Sequence, residues 1–431
     1  MDSQPETNHN SSIRLLPFGL NRFSIGETLK QVSLLFSAQT GAMFVNLLVS
    51  FVLLRWMEPE EMGRLAFCLS TIILAGLFFE LGIFAAGSRA LALAKDKDEE
   101  RRTLGALTLM AAALGLALAA FIALAALPIE AIFHKEVRWL LLSVAALAFL
   151  QPFQLLIELS CQGLNRIRQL ATFQLLMTTG YLLALVTLGM THRLSAKSAL
   201  FAYLSAIALA ATVTLWQLKP RFQDIGHYLK LIFHEARHYG LNLYFARITG
   251  TASVRLDSFV IAYFIASAAP LGLYDRAQKL SNPVSSLSRA LAITQFRAFA
   301  SVERVPSRIT KWNLIILLAA SLALVIFGSL ALNFLFPKYA DAAPLLIPFA
   351  VYNLFAGLFQ PYNTFLAAKG HSAALRNIAI AITIASVIGL LIAVPRFGIL
   401  GAAWAGATTM LLDYLLHLYY YRKYKVLSPE S

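Results

Sequence analysis

The feature that most constrains the fold is a series of long apolar segments along almost the whole chain. A helix that crosses the hydrocarbon core of a bilayer needs roughly 20 mainly apolar residues, and twelve segments approach that length. Of the 431 residues, 58% are hydrophobic and only 13% are charged, whereas soluble domains contain about 25% charged residues. This composition excludes a soluble enzyme, a disordered protein and a secreted disulfide scaffold, and it predicts an integral membrane protein.

The predicted spans form two sets of six, separated by charged, glycine or proline residues. The seventh and eighth are too polar to be assigned from hydropathy alone. The predicted spans are 34–54, 65–87, 104–126, 139–160, 170–190 and 198–218, followed by 239–264, 271–296, 312–335, 342–366, 376–394 and 399–421.

Basic residues predict the orientation. Lys and Arg outnumber Asp and Glu by 36 to 22, which gives a net charge of +14, and most of the cations fall in loops on one side of the predicted bundle. Because short cytoplasmic loops are enriched in Lys and Arg, we expect both termini to be cytoplasmic, in a bacterial inner membrane. The expected organisation is a polar tail at 1–24 without a signal-peptide pattern, six-helix lobes at 25–220 and 221–425, and a tail at 426–431.

An internal repeat relates the two halves. Gly63 aligns with Gly272 at an offset of 209 residues, and Gly163 aligns with Gly370 at an offset of 207 residues. Parallel repeats of six spans are a transporter architecture with the binding site between the lobes. The sequence therefore predicts an all-α membrane protein of twelve transmembrane helices, arranged as two six-helix lobes around a central cavity.

Five basic residues lie inside the seventh and eighth predicted spans rather than in loops. A cation at membrane depth is costly, so it faces a wet cavity or a partner. Arginine grips phosphate with two donors and lysine acts as a mobile point charge. We interpret these residues as a cationic, anion-binding wall, with structural ion pairing as the alternative; they are Arg247, Arg255, Arg276, Lys279 and Arg289.

Four acidic residues also lie at predicted membrane depth: Glu80, Glu158, Asp257 and Asp413. Such groups form proton or sodium relays, or they pair with neighbouring cations. Both interpretations stay open, so H⁺ or Na⁺ coupling is an expectation without an assigned residue. Arg255 and Asp257 are two residues apart on a helix and point to opposite sides, so they are not expected to pair with each other.

One motif suggests a zinc enzyme. His234-Glu235-Ala-Arg-His238 has the spacing that places two imidazoles on one helical face with a glutamate base between them. The chain lacks the further carboxylate in the setting that intramembrane metalloproteases need, so we expect no metal and no enzyme. No nucleotide-binding motif is found, and the basic loops are explained by orientation rather than by nucleic acid.

Short motifs in a characteristic order carry a resemblance over essentially the whole chain. The sequence resembles the O-antigen and polysaccharide flippases, in the superfamily that also holds multidrug extruders and lipid II flippases. That family more often has Asp where this chain has Glu80. The motifs are Pro59-Glu-Glu-Met-Gly63-Arg-Leu-Ala, Glu80-Leu-Gly82, Arg89-Ala-Leu-Ala, Asp257, Gly272-Leu-Tyr274, Phe336-Pro-Lys-Tyr339, Lys369-Gly370 and Gly401-Ala-Ala-Trp404.

The resemblance implies a substrate and a mechanism. The substrate would be an oligosaccharide on undecaprenyl diphosphate, such as an O-antigen unit of lipopolysaccharide, moved from the inner to the outer leaflet by alternating access. Its diphosphate would be the anion held by the five cations. A multidrug extruder of the same fold is the main alternative, and a mixed or acidic cavity would favour it. A zinc protease and a scaffold that works beside polymerase or other assembly proteins are further alternatives.

Overall fold

The computed structural model describes residues 25–133, 137–240, 244, 255–301 and 304–426, and these residues form helices without any strand. An all-helical structure follows from the apolar sequence, because a helix satisfies its own backbone hydrogen bonds where no water is available.

Eight helices make up the N-terminal half, and a short amphipathic helix, α9, follows them. Their bounds are α1 Ile25–Trp56, α2 Pro59–Glu80, α3 Ile83–Leu93, α4 Lys97–Phe133, α5 Arg138–Ala148, α6 Gln151–Gly163, α7 Ile167–Met190, α8 Ala196–Leu218 and α9 Ile225–Glu235.

The C-terminal half has six described α-helices, interrupted by π-helical turns and a 3₁₀ segment. The π-helical turns at Leu324–Gly328 and Ala331–Leu335 and the 3₁₀ segment Pro337–Leu345 connect α12 to α13. The helices are α10 over 255–264, α11 Ala269–Ser301, α12 Ser307–Ala323, α13 Leu346–Leu358, α14 Gln360–Ala368 and α15 Ser372–Val426.

Among the described residues, seven helical segments are long and apolar enough to span a membrane, or eight if the bent pair α5–α6 counts as one. The longest, α15, changes direction at Gly398, whose φ of 59° and ψ of −141° are not helical. That break falls between the predicted spans 376–394 and 399–421. The all-helical fold is confirmed, and the number twelve stays a prediction.

Three predicted spans contain breaks that their hydropathy does not show. The span predicted at 65–87 is interrupted because Leu81 and Gly82 are left-handed, with φ of 49° and 74°. A Cβ on Gly82 would lie 2.4 Å from the Gly240 carbonyl oxygen, so glycine permits both the turn and the close approach.

The other two breaks precede Gln-Pro dipeptides. Helices α5 and α6 meet at 42° just before Gln151-Pro152, and α14 begins at Gln360-Pro361 after a break at Phe359. Proline lacks an N–H group and therefore favours the first turn of a new helix. The two dipeptides are 209 residues apart, so the internal repeat extends to the position of this bend.

One end of the bundle closes tightly between the two halves. We define this closed end as the region where α1 ends and where α2, α8 and α11 begin. A Cβ on Gly63 would lie 1.8 Å from the Ala268 carbonyl oxygen, and a Cβ on Gly272 would lie 2.2 Å from the Pro59 carbonyl oxygen. Gly272 lies 209 residues after Gly63, and Ala268 lies 209 residues after Pro59. The repeat therefore exchanges the two contacts, as a pseudo-twofold axis requires.

Polar contacts across the halves reinforce the closed end. The Glu60 carboxylate accepts hydrogen bonds from the Ala268 and Ala269 N–H groups at 3.1 and 2.9 Å and from the Ser267 hydroxyl at 3.0 Å. The Tyr339 hydroxyl donates to the Met57 carbonyl oxygen at 3.1 Å. Glu60 thus supplies acceptors to N–H groups at the start of α11, which have no partner within the helix.

The segment after the expected lobe boundary at residue 220 packs back onto the N-terminal half. Helix α9 packs against α3 and α4, and the Arg221 N–H donates to the Arg101 carbonyl oxygen at 2.8 Å. The start of the second half is therefore packed against the first half and hydrogen-bonded to it.

The closed end generates a first prediction. Gly63→Val forces a side chain against the Ala268 carbonyl, and overpacking of this kind costs about 1–3 kcal/mol. We expect a lower unfolding temperature and a longer distance between spin labels placed at the closed end. Gly226→Ala in α9 is the control, because no atom lies within 4 Å of its Cβ position. Unchanged stability in Gly63→Val would contradict the assigned packing.

Candidate functional site

A cavity of about 570 Å³ lies between the two halves, and residues from both line it. We call it the central cavity. Helices α1, α2, α6, α7 and α8 form the N-terminal wall, and α10 and α11 form the C-terminal wall. Its uncharged polar lining residues are Asn46, Ser50, Gln174, Thr178, Tyr181, Tyr203 and Asn282.

Two of the lining cations come from α11. Arg276 and Lys279 are three residues apart and therefore neighbours on one helical face. Both contact Asp275: Arg276 Nε lies 2.9 Å from Oδ2 and Lys279 Nζ lies 3.1 Å from Oδ1. One carboxylate therefore serves two cations, which leaves this face of α11 with a net positive charge.

One donor group of Arg276 lacks an acceptor among the described residues. Its side chain is 2% exposed, and its Nη1 has no hydrogen-bond partner in the described part of the chain. An unpaired buried donor costs about 1–3 kcal/mol, more when it is charged. An acceptor on a ligand in the central cavity would remove that cost.

Arg255 adds a third cation from α10. Among the described residues, no acidic side chain forms a salt bridge with it. Asp257, two residues away, lines a different cavity, so the two side chains point apart as the helical spacing predicts.

Glu158 on α6 also lines the central cavity, and the Gln154 amide donates to its Oε1 at 3.1 Å. The charged groups at the site are thus three cations and two carboxylates, one of which is Asp275. The wall is cationic overall, although less so than five cations would make it.

Arg289 and the acidic Glu80, both predicted at membrane depth, lie away from the central cavity. Arg247 lies outside the described residues. The Arg289 side chain is exposed and does not line the central cavity. Glu80 is buried at the end of α2, also away from that cavity. The structure therefore brings together Arg255, Arg276 and Lys279 from the predicted set.

Asp257 lies in the interior of the C-terminal half. Its carboxylate accepts hydrogen bonds from the Tyr274 hydroxyl at 3.0 Å, the Gln278 amide at 3.1 Å and the Ser258 N–H at 2.7 Å. It lines a cavity of about 60 Å³ with Tyr352 and Thr409. The charge is held by hydrogen bonds rather than by an arginine.

Asp413 pairs with a residue that sequence analysis did not single out. His417 Nδ1 lies 2.8 Å from Asp413 Oδ1, one turn along α15. Tyr181 and Tyr203 of the central cavity were missed as well. The repeated Gln-Pro dipeptides are a sequence signal for the helix breaks near these residues. An isolated tyrosine in an apolar span gives no signal that it lines a cavity.

The glutamate of the predicted zinc motif contacts an arginine. Glu235 Oε2 forms a salt bridge with Arg89 Nη1 at 3.0 Å, and the His234 side chain is exposed. The described residues contain no group of three or more His, Cys, Asp or Glu side chains arranged to hold a metal ion.

Comparison with solved structures identifies the fold. The lipid II flippase MurJ in its inward closed conformation matches with a TM-score of 0.71 at 13% identity, over 90% of this chain and 87% of that chain. An inward-facing multidrug resistance transporter of the MATE family also gives 0.71 at 13% identity, over 89% and 95%. The MATE multidrug transporter DinF-BH gives 0.60 at 15% identity, over 94% and 98%.

These similarities confirm the predicted flippase- and extruder-like fold, and at such identities they establish the fold alone. A search of curated protein sequences finds no match. The model of one family, described as polysaccharide biosynthesis protein, matches residues 28–289. That match covers more than half of the chain, and the chain therefore belongs to the polysaccharide biosynthesis protein family, as its resemblance to the polysaccharide flippases predicts.

Proposed function

We propose that the protein is a flippase for a polyprenyl-diphosphate-linked oligosaccharide, such as an O-antigen or another surface-polysaccharide repeat unit. The substrate enters from the inner leaflet of the bacterial inner membrane and leaves in the outer leaflet. Family membership supports a role in polysaccharide biosynthesis, and the fold supports transport across a bilayer.

The observation that carries this proposal is the cationic wall of Arg255, Arg276 and Lys279. Arg276 presents an unsatisfied buried Nη1, and Arg255 has no acidic partner among the described residues. A diphosphate supplies several acceptor oxygens and two or more negative charges, so one ligand satisfies all three side chains. Proteins place cations at membrane depth where such a partner passes.

The rest of the lining suits a sugar linked to a lipid. Amide and hydroxyl groups of Asn46, Gln174, Thr178 and Asn282 provide donors and acceptors for sugar hydroxyls. Apolar residues of α1 and α2, including Leu47, Leu65 and Leu69, provide a surface that tolerates the first part of the prenyl chain. The rest of the chain stays in the bilayer.

In an alternating-access cycle, the closed end would act as the gate on one side of the membrane. With both termini cytoplasmic, the contacts between Gly63 and Ala268 and between Gly272 and Pro59 lie at the periplasmic side, which corresponds to an inward-facing state. Release into the outer leaflet then requires these contacts to separate while the cytoplasmic side closes. Because no nucleotide-binding motif is present in the sequence, an H⁺ or Na⁺ gradient would drive the cycle.

Glu158 supports the alternative of a multidrug extruder, because its carboxylate in the central cavity could attract a cationic drug. However, the three cations at the site outnumber the two carboxylates among the described residues, and one carboxylate, Asp275, is already shared by Arg276 and Lys279. A cationic ligand would meet net repulsion at this wall. The flippase proposal therefore accounts for more of the charged groups.

Genetic complementation provides a direct test. Deletion of the gene should stop surface polysaccharide and leave lipid-linked repeat units facing the cytoplasm. We expect Arg255→Ala and Lys279→Ala to fail to restore polysaccharide, because each removes a charge that would face the diphosphate. Arg396→Ala, an exposed arginine outside the central cavity, is the matched control and should restore it. Full restoration by both cavity variants, with protein levels equal to wild type, would rule out the anion-binding wall.

Ligand binding separates the two substrate classes. Binding of a fluorescent polyprenyl-diphosphate sugar to purified protein should weaken about 10-fold or more in Arg255→Ala, since a hydrogen bond to a charged group contributes about 1.5–3 kcal/mol. In Glu158→Gln the same ligand should bind several-fold more tightly, because one negative charge leaves the wall. If Glu158→Gln instead abolished binding or efflux of a cationic dye, the multidrug alternative would hold.

A further inference from the structure

We propose that Asp413 and His417 form a proton-binding site in the C-terminal half and that its proton couples pH to the separation of the two halves. This inference specifies the coupling ion of the proposed transport cycle and therefore builds on that proposal. It assigns the site to a pair of side chains outside both cavities described above.

The pair is deeply buried. His417 is 4% exposed and Asp413 is 6% exposed, in the half of α15 that follows the break at Gly398. His417 Nδ1 lies 2.8 Å from Asp413 Oδ1 and 3.0 Å from the Asp413 carbonyl oxygen. Asp413 Oδ1 has no well-aligned hydrogen-bond partner within the described ranges. A buried carboxylate of this kind needs a positive or protonated neighbour.

Acceptors face both nitrogens of the imidazole. Nδ1 faces Asp413 Oδ1 and the Asp413 carbonyl oxygen, and Nε2 lies 3.4 Å from the Asn363 side-chain oxygen. A neutral ring carries one proton and would leave one nitrogen facing an acceptor without a donor. The doubly protonated ring supplies a proton to each side, and its charge cancels that of Asp413.

Loss of that proton changes the charge of a confined site. The pair goes from neutral to a net charge of −1 among apolar and aromatic neighbours, and the Phe359 ring stacks on His417 at 4.9 Å between centroids. Because burying an uncompensated charge is costly, the deprotonated site favours a conformation that lets water reach it. A proton thereby shifts a conformational equilibrium by its difference in affinity for the two states.

The position of the pair gives that shift a mechanical consequence. Phe359 marks the break between α13 and α14, and Asn363 lies in the first turn of α14. Protonated His417 therefore joins α15 to the helix that follows the break. Loss of the proton would remove a donor from this contact and so weaken one of the links between α15 and α14, next to the break at Phe359.

The N-terminal half carries an uncharged version of this contact. Gln154 lies 209 residues before Asn363, after the equivalent Gln-Pro dipeptide. Its Oε1 accepts a hydrogen bond from the Tyr203 hydroxyl on α8 at 3.3 Å. Histidine is the side chain whose ordinary titration range lies between pH 5 and 8, and of these two described contacts the one in the C-terminal half contains a histidine.

Other titratable or charged side chains lie on the elements packed against α15. Tyr352 on α13 interacts electrostatically with Asp413 and with Arg289 of α11, and Tyr362 on α14 packs against Tyr414. Tyrosine and arginine ordinarily titrate at about pH 10 and above. Asp257 of α10 lines the small cavity with Thr409 of α15, and His371 stacks on Tyr424 near the end of α15. The variants at Asp413 and His417 therefore separate the response of the pair from that of these two groups.

Spin labels at the closed end can test the proposal on purified full-length protein in lipid nanodiscs. Glu58→Cys and Lys338→Cys place one label in each half, at two exposed side chains that contact each other. The native Cys68 and Cys161 are fully buried and should not react. In the labelled wild-type background, we expect the ratio of short to long distances to change about tenfold between about pH 5.5 and about pH 8.

Asp413→Asn and His417→Gln should abolish this pH response, and the exposed His192→Gln, as the matched control, should keep it. Asp413→Glu retains a carboxylate and should restore the response with a shifted midpoint, which separates loss of the proton site from general misfolding. Persistence of the response in both Asp413→Asn and His417→Gln would overturn the proposal, as would its absence from the wild-type background.

Failure of this inference is distinguishable from failure of the proposed flippase activity. If wild-type protein flips the lipid-linked oligosaccharide but Asp413→Asn and His417→Gln leave the pH dependence of flipping unchanged, the proton site is wrong and the flippase stands. The label distances are measured without substrate. A protein that flips nothing but loses its pH-dependent opening in the two variants would keep the proton site and reject the flippase.

Discussion

The close approach of two backbones at one end of the bundle determines where the halves can separate and where they cannot. Gly63 and Gly272 each lie against a carbonyl oxygen of the opposite half, at distances that a Cβ atom does not allow. The contacts are related by the internal repeat, so two similar surfaces meet each other as they do in an isologous dimer. Holding the halves together here leaves the volume between them as the central cavity, lined by α1, α2, α10 and α11 among others.

Many of the motifs that carry the family resemblance serve this closed end rather than the cavity. Glu60 accepts hydrogen bonds from the first turn of α11, and Tyr339 reaches the Met57 carbonyl oxygen. Phe336 stacks on Phe51 with ring centroids 5.9 Å apart. In this chain these motifs therefore join the two halves, and a fold by itself does not determine its substrate. The substrate must be inferred from the charged groups of the cavity.

Buried charged groups inside the bundle are stabilised in three different ways. Arg276 and Lys279 share one carboxylate and retain donor capacity. Asp257 is held by a hydroxyl, an amide and a backbone N–H, which hold its charge without cancelling it. Asp413 depends on the imidazole beside it. Only the first arrangement has positive charge left for an anion, and only the third pairs a carboxylate with an imidazole.

Sequence alone determined that the chain is helical and crosses a membrane, because hydropathy over 20 residues measures a local property. It also determined the repeat, since the alignment of Gly63 with Gly272 needs only the residue order. The side-chain directions of Arg255 and Asp257 followed from helical spacing. The breaks at Leu81–Gly82 and at Phe359 did not follow from hydropathy, which averages over them. The Asp275–Lys279 and Asp413–His417 pairs are each four residues apart on one helix, a spacing that the residue order already contains. Tertiary structure decided that Glu158 of α6 faces the same cavity as the cations of α11, and that His417 lies beside Asn363 of α14. These two are contacts between different helices, and they depend on distances that only the packed bundle sets.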